Sequence, residues 1–556
     1  MLCARRTFVQ TLSCGLAFSG AGLLVPQDVL ASDVSLRERV DMLYSNKFTF
    51  NHRGQPQITV GLMEGQQQVF LDAPAGMLAL PSGEGGTSIS GGTRWRIKLT
   101  RSQPSRQRFR VVLEAFAATD IRAIDRAVKA WAKKGLQTRE CEVGALFGVD
   151  GAVLDTRRIL LTAGLHPSEA DAIAQAKLLR RQHGALGRLH PEIEQRSSGT
   201  LVATDLDRGT EIRAQGVLWF SGRGKSGITV RDVVSGSTIG TRSKETRRYH
   251  GQIYIAVDRR GKLCVVNLVN ESDVLAGLVP AEIFASAPSA ALQAQAIAAR
   301  GQLLAKIGSR HLDDPFLLCS QQHCQVYAGA NKEHPRTNRA VQRTLGQVLM
   351  RPGADQLVDT VYSANSGGHG EDNEQVWPSH ADPQLRGRAD GLVAEKFRRG
   401  INSSNLHEWI HGLPSSYSRP KTESLRSSYR WTHAIDPASI SGNPSIPRGF
   451  GLLRAVAVLA RGRSGRATSV RLTGSGAQIE IAGELRIRRA LGALKSSMFV
   501  SAPHPDAYGR LVLYGGGHGH GVGMCQHGAM GMAGAGHSSA KILEHYYFGS
   551  KLAKLW

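Results

Sequence analysis

Beyond its first 31 residues the chain has no long apolar run. No later segment reaches the roughly 20 apolar residues that a bilayer-spanning helix needs, which excludes a multi-spanning helical membrane protein. Cysteine is also scarce, 7 in 556 residues. Cys3 and Cys14 sit in the N-terminal stretch, leaving Cys141, Cys264, Cys319, Cys324 and Cys525, an odd number that excludes a pure disulfide framework. Acidic residues are outnumbered, 45 against 69 Lys and Arg, for a net charge of +24. That charge suits nucleic acid, an anionic membrane or an acidic wall polymer. The basic residues are scattered, and no helix-turn-helix, zinc-finger or aromatic RNA-reading signature accompanies them, so nucleic acid is set aside as a partner.

Apolar content of 41% and charged content of 21% are ordinary globular values. The length allows two to four domains at about 150 residues each. Residues 1–31 read as an export signal: Arg5-Arg6-Thr7-Phe8-Val9, an apolar stretch from about Thr11 to Val25, and Val29-Leu30-Ala31 before Ser32. The paired arginines followed by Phe resemble a twin-arginine signal. The expected destination is the periplasm or cell wall, with membrane attachment only through an uncleaved signal anchor. Cys14 is a poor lipoprotein acceptor because Thr11 stands where Leu is expected.

The pattern predicts a multi-domain α+β protein. Residues 32–104 form a β-rich segment, with strands at Gln57–Leu62, Gln68–Leu71 and Trp95–Leu99. Residues 105–190 follow as a small accessory unit of β-α-β-β-α order. Its helices are marked by Ile121, Ile124, Val128 and Trp131 at helical spacing, stopped by Gly135, and by Ser168 as N-cap of a second helix to about Arg181. This unit resembles a SPOR domain, a family that binds glycan strands stripped of their peptides. Residues 199–556 start with successive strands and continue through a helix at about Pro288–Leu304 to a final helix at Ser538–Tyr547. Ser415–Arg430, rich in Ser and Arg, reads as a mobile surface segment within an insertion at about 395–430.

Four blocks could carry chemistry. In the first, Val279-Pro280-Ala281-Glu282-Ile283-Phe284 precedes an alanine-rich helix containing Gln295 and Arg300. Partial burial of Glu282 would raise its pKa, as a neutral-pH general acid requires; a lone Glu before a helix is more often a solvated or capping group. In the second, Cys319 and Cys324 with His323 and His311 fit either a zinc site or, in an exported protein, a disulfide. His323 and Cys324 are adjacent, which makes His311 the better third ligand. The third, Tyr362-Ser363-Ala364-Asn365-Ser366-Gly367-Gly368-His369-Gly370-Glu371-Asp372, offers backbone N–H groups to sugar hydroxyls and two rival carboxylates, or is simply a glycine turn. The fourth, Gly515-Gly516-Gly517-His518-Gly519-His520-Gly521-Val522-Gly523-Met524-Cys525-Gln526-His527-Gly528-Ala529, reads as a substrate-lining loop or packing corner sooner than as a second metal site formed by His518, His520, Cys525 and His527.

In order, these blocks resemble the SpoIID/LytB family over about residues 199–556. Further carriers are Arg248-Tyr249-His250-Gly251, Gly261–Asn267, Val376-Trp377, Arg461 with Ser464-Gly465-Arg466, Arg488–Gly492, Leu494–Ser497 and Ile542–Tyr547. The resemblance implies a lytic transglycosylase acting on the peptidoglycan glycan strand, with Glu282 as acid/base. The substrate contacts it implies are Gln295, Arg300, Ser366, Gly367, Gly368, His520 and Gln526. It implies a zinc ion on His311, Cys319 and Cys324, with His323 as a further position. A non-catalytic enhancer of a cell-wall amidase, or a metal-dependent hydrolase, are the alternatives. The chain departs from the family where Ile283-Phe284 replaces Met-Pro and where Cys525-Gln526-His527 replaces Ser-Gln-Trp.

Overall fold

The computed structural model describes residues 43–44, 49–50, 54–81, 89–149, 152–224, 227–235, 243–321, 323–353, 355–391 and 393–556. The expected export signal lies outside the described residues. Among those described, no helix is long and apolar enough to cross a membrane. The fold is multi-domain α+β, with helices and many strands distributed over several sheets.

Two antiparallel-rich sheets form the first core. One centres on Leu263–Asn270, a strand buried along nearly its whole length, flanked by Gln252–Val257 on one side and Pro56–Gln66 on the other. The second pairs Arg94–Gln103 with both Gln68–Asp72 and Ser198–Asp205. Trp95 of one sheet meets Phe220 of the other edge-on, with centroids 5.6 Å apart. Apolar side chains from both sheets fill the same core, the burial that drives such packing. Here the boundary between 32–104 and 199–556 dissolves, because strands of the early segment hydrogen-bond into sheets built from residues 198–270. Alternating patterns reveal strands, but not which distant strand each one pairs with.

The accessory unit is inserted between these strands. Its four-stranded sheet runs in the order Arg188–Gln195, Arg106–Ala117, Arg158–His166, Arg139–Val143. The helices Ile121–Lys133 and Glu169–His183 pack on it through Ile124, Trp131 and Leu179. Ser168 does cap its helix, accepting from Asp171 N–H at 3.2 Å. The expected β-α-β-β-α order is incomplete. A hairpin, Leu146–Val149 with Ala152–Asp155, breaks the apolar run 141–147, and the strand Arg188–Gln195 closes the unit as a split β-α-β arrangement. The unit touches the segment on both sides of His311 through Gly144 N–H to the Gly308 carbonyl (2.7 Å) and Gln107 Nε2 to Asp313 Oδ2 (3.2 Å).

Two helices follow the central strand. Asn270 caps Glu271–Glu282 by accepting from Asp273 N–H at 2.9 Å. The second, Ser289–Lys306, is buried on nearly every side. Its small residues allow that: a Cβ on Gly301 would stand 2.5 Å from Thr360 Oγ1. A separate core joins the sheets 430–435/499–501/511–516 and 453–461/467–474/478–482. Within Ser415–Arg430, Ser418 and Tyr429 are buried and Arg430 donates to the carbonyls of Trp409, Ile410 and Gly367, whereas residues 421–423, Arg426 and Ser427 are exposed.

Candidate functional site

Glu282 ends its helix where Pro280 and the extended Ile283 stop helical hydrogen bonding. The side chain is half-buried, and its Oε1 accepts a single hydrogen bond, from Val326 N–H at 3.3 Å. Burial pushes its pKa up to about 7, opposed by that N–H and by Lys306. Lys306 comes from the end of the alanine-rich helix and donates to the Cys324 carbonyl at 2.6 Å.

Gln295, Gln526 and Tyr362 gather nearby. The parallel pairing of Tyr362–Ser363 with Met524–Cys525 joins the third and fourth blocks, although they are 162 residues apart in register (524 against 362). Gln526 Nε2 donates to Gln295 Oε1 at 3.3 Å. The Gln295 amide and the Tyr362 hydroxyl are buried, and Gln295 Nε2 and Tyr362 Oη have no close hydrogen-bond partner. Tyr362 lies close enough to Glu282 for the carboxylate to help raise the phenol's pKa, after burial. Tyr362 opens the third sequence block, but its position there gave it no role of its own. Phe284 is exposed and lies edge-on to His527, with centroids 6.4 Å apart. His520 stacks against Trp377 at 4.8 Å and accepts from Val522 N–H. Burial, with Arg466 and Arg488 nearby, holds its pKa down to about 3, so it is neutral.

Other expected substrate contacts are committed inside the fold. Arg300 is fully buried, paired to Glu271 at 2.6 Å, and donates to the Thr344 and Gln347 carbonyls. It therefore fixes the head of the Glu282 helix and does not reach a ligand. Ser366, Gly367 and Gly368 form a packing corner. Ser366 N–H donates to Cys525 Sγ, the Gly367 carbonyl accepts from Trp409 and Arg430, and the Gly368 carbonyl accepts from Asp390 N–H. A Cβ on Gly367 would stand 2.8 Å from Gly517 N. The rival carboxylates are structural too. Glu371 is buried and accepts from Asp372 N–H, Arg463 N–H, Ser464 N–H and Ser464 Oγ. Asp372 accepts from Gly387 N–H at 2.6 Å.

His311, Cys319, His323 and Cys324 converge, with their ligating atoms all within 4.8 Å of one another. Both cysteines are free thiols, which removes the disulfide alternative in this structure. Cys324 Sγ lies 3.3 Å from His311 Nε2 and 3.7 Å from His323 Nδ1. The adjacency of His323 and Cys324 is thus no obstacle, since the turn closed by Cys324 N–H to the Gln321 carbonyl aims both side chains at one centre. His311 Nδ1 lies 2.8 Å from Asp314 Oδ2, the kind of carboxylate support that fixes the tautomer of a metal-bound imidazole. Two thiols and two imidazoles suit zinc, and four protein ligands close a tetrahedral shell.

A family profile described as "Stage II sporulation protein" (SpoIID) matches residues 259–350, which hold Glu282, Gln295 and the four-residue cluster. A second, described as "Domain of unknown function (DUF8618)", matches residues 371–523. The chain is 27% identical over 301 residues to an uncharacterized protein of Brachyspira hyodysenteriae, covering 54% of this chain and 71% of that one. It is 30% identical over 304 residues to a Bacillus subtilis protein named "Amidase enhancer", covering 50% of this chain and 40% of the relative. The chain thus spans less than half the length of the Bacillus protein. Together, the profile over residues 259–350 and the Bacillus relative support assigning the chain to the SpoIID/LytB family.

Proposed function

We propose that this chain is an exported peptidoglycan lytic transglycosylase that cleaves peptide-stripped glycan strands, with Glu282 as its acid and base. A cell-wall-related function is supported by the SpoIID profile and the Bacillus relative. The observation that carries the finer reading is the state of Glu282: a carboxyl held near neutrality by burial, with one long hydrogen bond and unpartnered amide and phenol groups close by.

Protonated Glu282 gives its proton to the glycosidic oxygen between N-acetylmuramic acid and N-acetylglucosamine, and the C1–O bond breaks. The carboxylate then takes the proton of the muramoyl C6 hydroxyl as that oxygen bonds to C1, closing a 1,6-anhydro ring. The proton returns to Glu282 and no water is consumed. One carboxyl suffices, unlike the paired carboxylates of ordinary glycosidases, and that agrees with Glu371 and Asp372 being occupied elsewhere. Gln295 and Tyr362 are buried beside the carboxyl and set the environment that raises its pKa. His311, Cys319, His323 and Cys324 would hold zinc, which would cross-link the loop that presents Val326 N–H to Glu282. The closed shell leaves no position for activated water, which disfavours the metal-dependent hydrolase.

Peptide-free glycan is digested with wild type and Glu282→Gln, and products are read by mass spectrometry. Wild type yields 1,6-anhydro ends and the variant none. Products without anhydro ends would overturn the reading. The Bacillus relative's name motivates a second reading, amidase enhancement. No anhydro products from either form, with stimulation of an added amidase by both, would establish it in place of the first. Chelation of the metal under native conditions should lower Tm, while Glu282→Gln should not change bound zinc; cleavage that survives in Glu282→Gln but stops on chelation would instead support the hydrolase.

A further inference from the structure

A cavity lies within residues 371–523. It has a volume of about 570 Å³, within the range of small-molecule sites. Its floor is Trp431, whose indole lies flat on the strand Leu511–Gly516. Gly515 permits that contact, since a Cβ there would stand 2.1 Å from the ring. Trp431 Nε1 is bonded to the Gly517 carbonyl at 2.9 Å, so the ring is fixed. Tyr514 and His411 form an adjoining wall, with ring centroids 5.2 Å apart. Leu413 and Ala493 at the edge have φ of +46° and +62°, a conformation rare for side-chain-bearing residues and often held at ligand sites.

The charge in this cavity is restricted. Arg430 spends its guanidinium on the Ile410, Trp409, Gly367 and Tyr429 carbonyls. Burial holds His411 and His433 below the usual histidine pKa. Lys495 supplies the cation. It is half-exposed, makes one hydrogen bond, to the Ser427 carbonyl at 2.9 Å, and keeps its other donors for a ligand. One ammonium beside fixed aromatic faces fits a sugar with a single carboxylate better than a polyphosphate.

The cavity is connected to the Glu282 site. Ser427 borders it, and the next residue, Ser428, lies 3.4 Å from His527 Nε2. His527 in turn meets Phe284, two residues from Glu282. Lys495 also accepts from Gly519 N–H at 2.8 Å, next to His520. An extended polymer lying across Phe284 and His527 would reach this cavity.

We infer that this cavity is a distal subsite for a carboxylate-bearing sugar of the glycan strand, with Lys495 on the carboxylate and Trp431 and Tyr514 against the ring. This rests on the proposed substrate, and it gives residues 371–523 a task in choosing muramoyl-containing strands over uncharged ones. Binding is measured by calorimetry and by Trp fluorescence in the Glu282→Gln protein, which should bind without cleaving. The probes are a muramic-acid-containing hexasaccharide and an N-acetylglucosamine hexasaccharide. Lys495→Gln should weaken the first about tenfold, the scale of one charge-assisted hydrogen bond, and leave the second unchanged. Tyr514→Leu should weaken both. In the otherwise wild-type enzyme, Lys495→Gln should raise KM at unchanged kcat. Equal affinities for the first probe in folded Lys495→Gln and its parent would overturn the subsite, as would cleavage with unchanged KM. A wild type that cleaves nothing, while binding still weakens in Lys495→Gln, would sustain the subsite and defeat the transglycosylase reading.

Discussion

Glu282 and Glu371 are two carboxyls whose pKa burial raises, one in each half of the C-terminal region. Their surroundings separate them. Four hydrogen bonds from 372, 463 and 464 reach Glu371, and Arg466, which lies close by, donates to the same Ser464 hydroxyl and to the Ser366 carbonyl. Glu282 has one long bond and a helix end behind it. A carboxyl whose lone pairs are all taken works as a clamp, whereas one with spare hydrogen-bonding capacity can accept and return a proton. The same contrast holds for the arginines: Arg300 and Arg466 are buried and committed to backbone, so neither can bind a glycan.

The sharpest test of this contrast is paired substitution. Glu282→Gln should remove at least about a hundredfold of cleavage rate, the scale of a lost general acid–base group, with a Tm near that of wild type at pH 5. Glu371→Ala should leave the Ser464 hydroxyl and three backbone N–H groups without this acceptor in a buried site. That should cost about 3–5 kcal/mol, read by denaturant unfolding. Activity in this variant should fall only with the folded fraction. If Glu371→Ala kept full stability but lost turnover per folded molecule, the two roles would have been exchanged.

A pH series sharpens the comparison. Glu282 has a folded pKa of about 7 against an ordinary 4.5. Its folded form therefore binds the proton more tightly than the unfolded chain. Stability from this group is present below pH 4.5 and is lost as pH rises through 7. The difference amounts to about 3 kcal/mol. Between pH 5 and 8, Glu282→Gln should thus become more stable relative to wild type. Cleavage should decline above pH 7 as the acid form disappears. A constant stability difference across this range would mean that the carboxyl is well solvated.

Much of the first half of the site was legible before any coordinates. Glu282 and the set His311, Cys319 and Cys324 stood out through the family resemblance; taken alone, a Glu before a helix reads as a solvated or capping group, and the thiol pair fits zinc or a disulfide equally. The second half was not. Glycine in Ser366-Gly367-Gly368 signals close approach, but a ligand and another backbone make the same demand, and here the neighbour is Gly517. Arg300 is equally ambiguous, because a buried ion pair with Glu271 depends on packing 29 residues away. The pairing of Pro56–Gln66 with Leu263–Asn270 was invisible for a related reason: strand alternation states which face is buried and leaves the partner unstated. Tyr362 gained meaning only when a parallel bridge to Met524 brought it near Glu282.

The smallest effect probes what holds Glu282 in place. Asn270 caps the start of its helix by bonding to Asp273 N–H, and its amide also donates to the Asp273 carboxylate at 2.7 Å. Asn270→Ala should cost about 1 kcal/mol of stability. Glu282 lies at the opposite end, where Val326 N–H and the extended backbone of Ile283 fix it independently of the first turn. The Arg300–Glu271 pair also anchors the first turn, so loss of the cap should not let the helix slide. The rate per folded molecule and its apparent pKa should therefore match wild type, while Tm falls by a few degrees. A shifted pH–rate profile in Asn270→Ala would show that Glu282 is positioned through the whole helix, and the contrast with the rigidly clamped Glu371 would then be one of leverage as well as of hydrogen bonding.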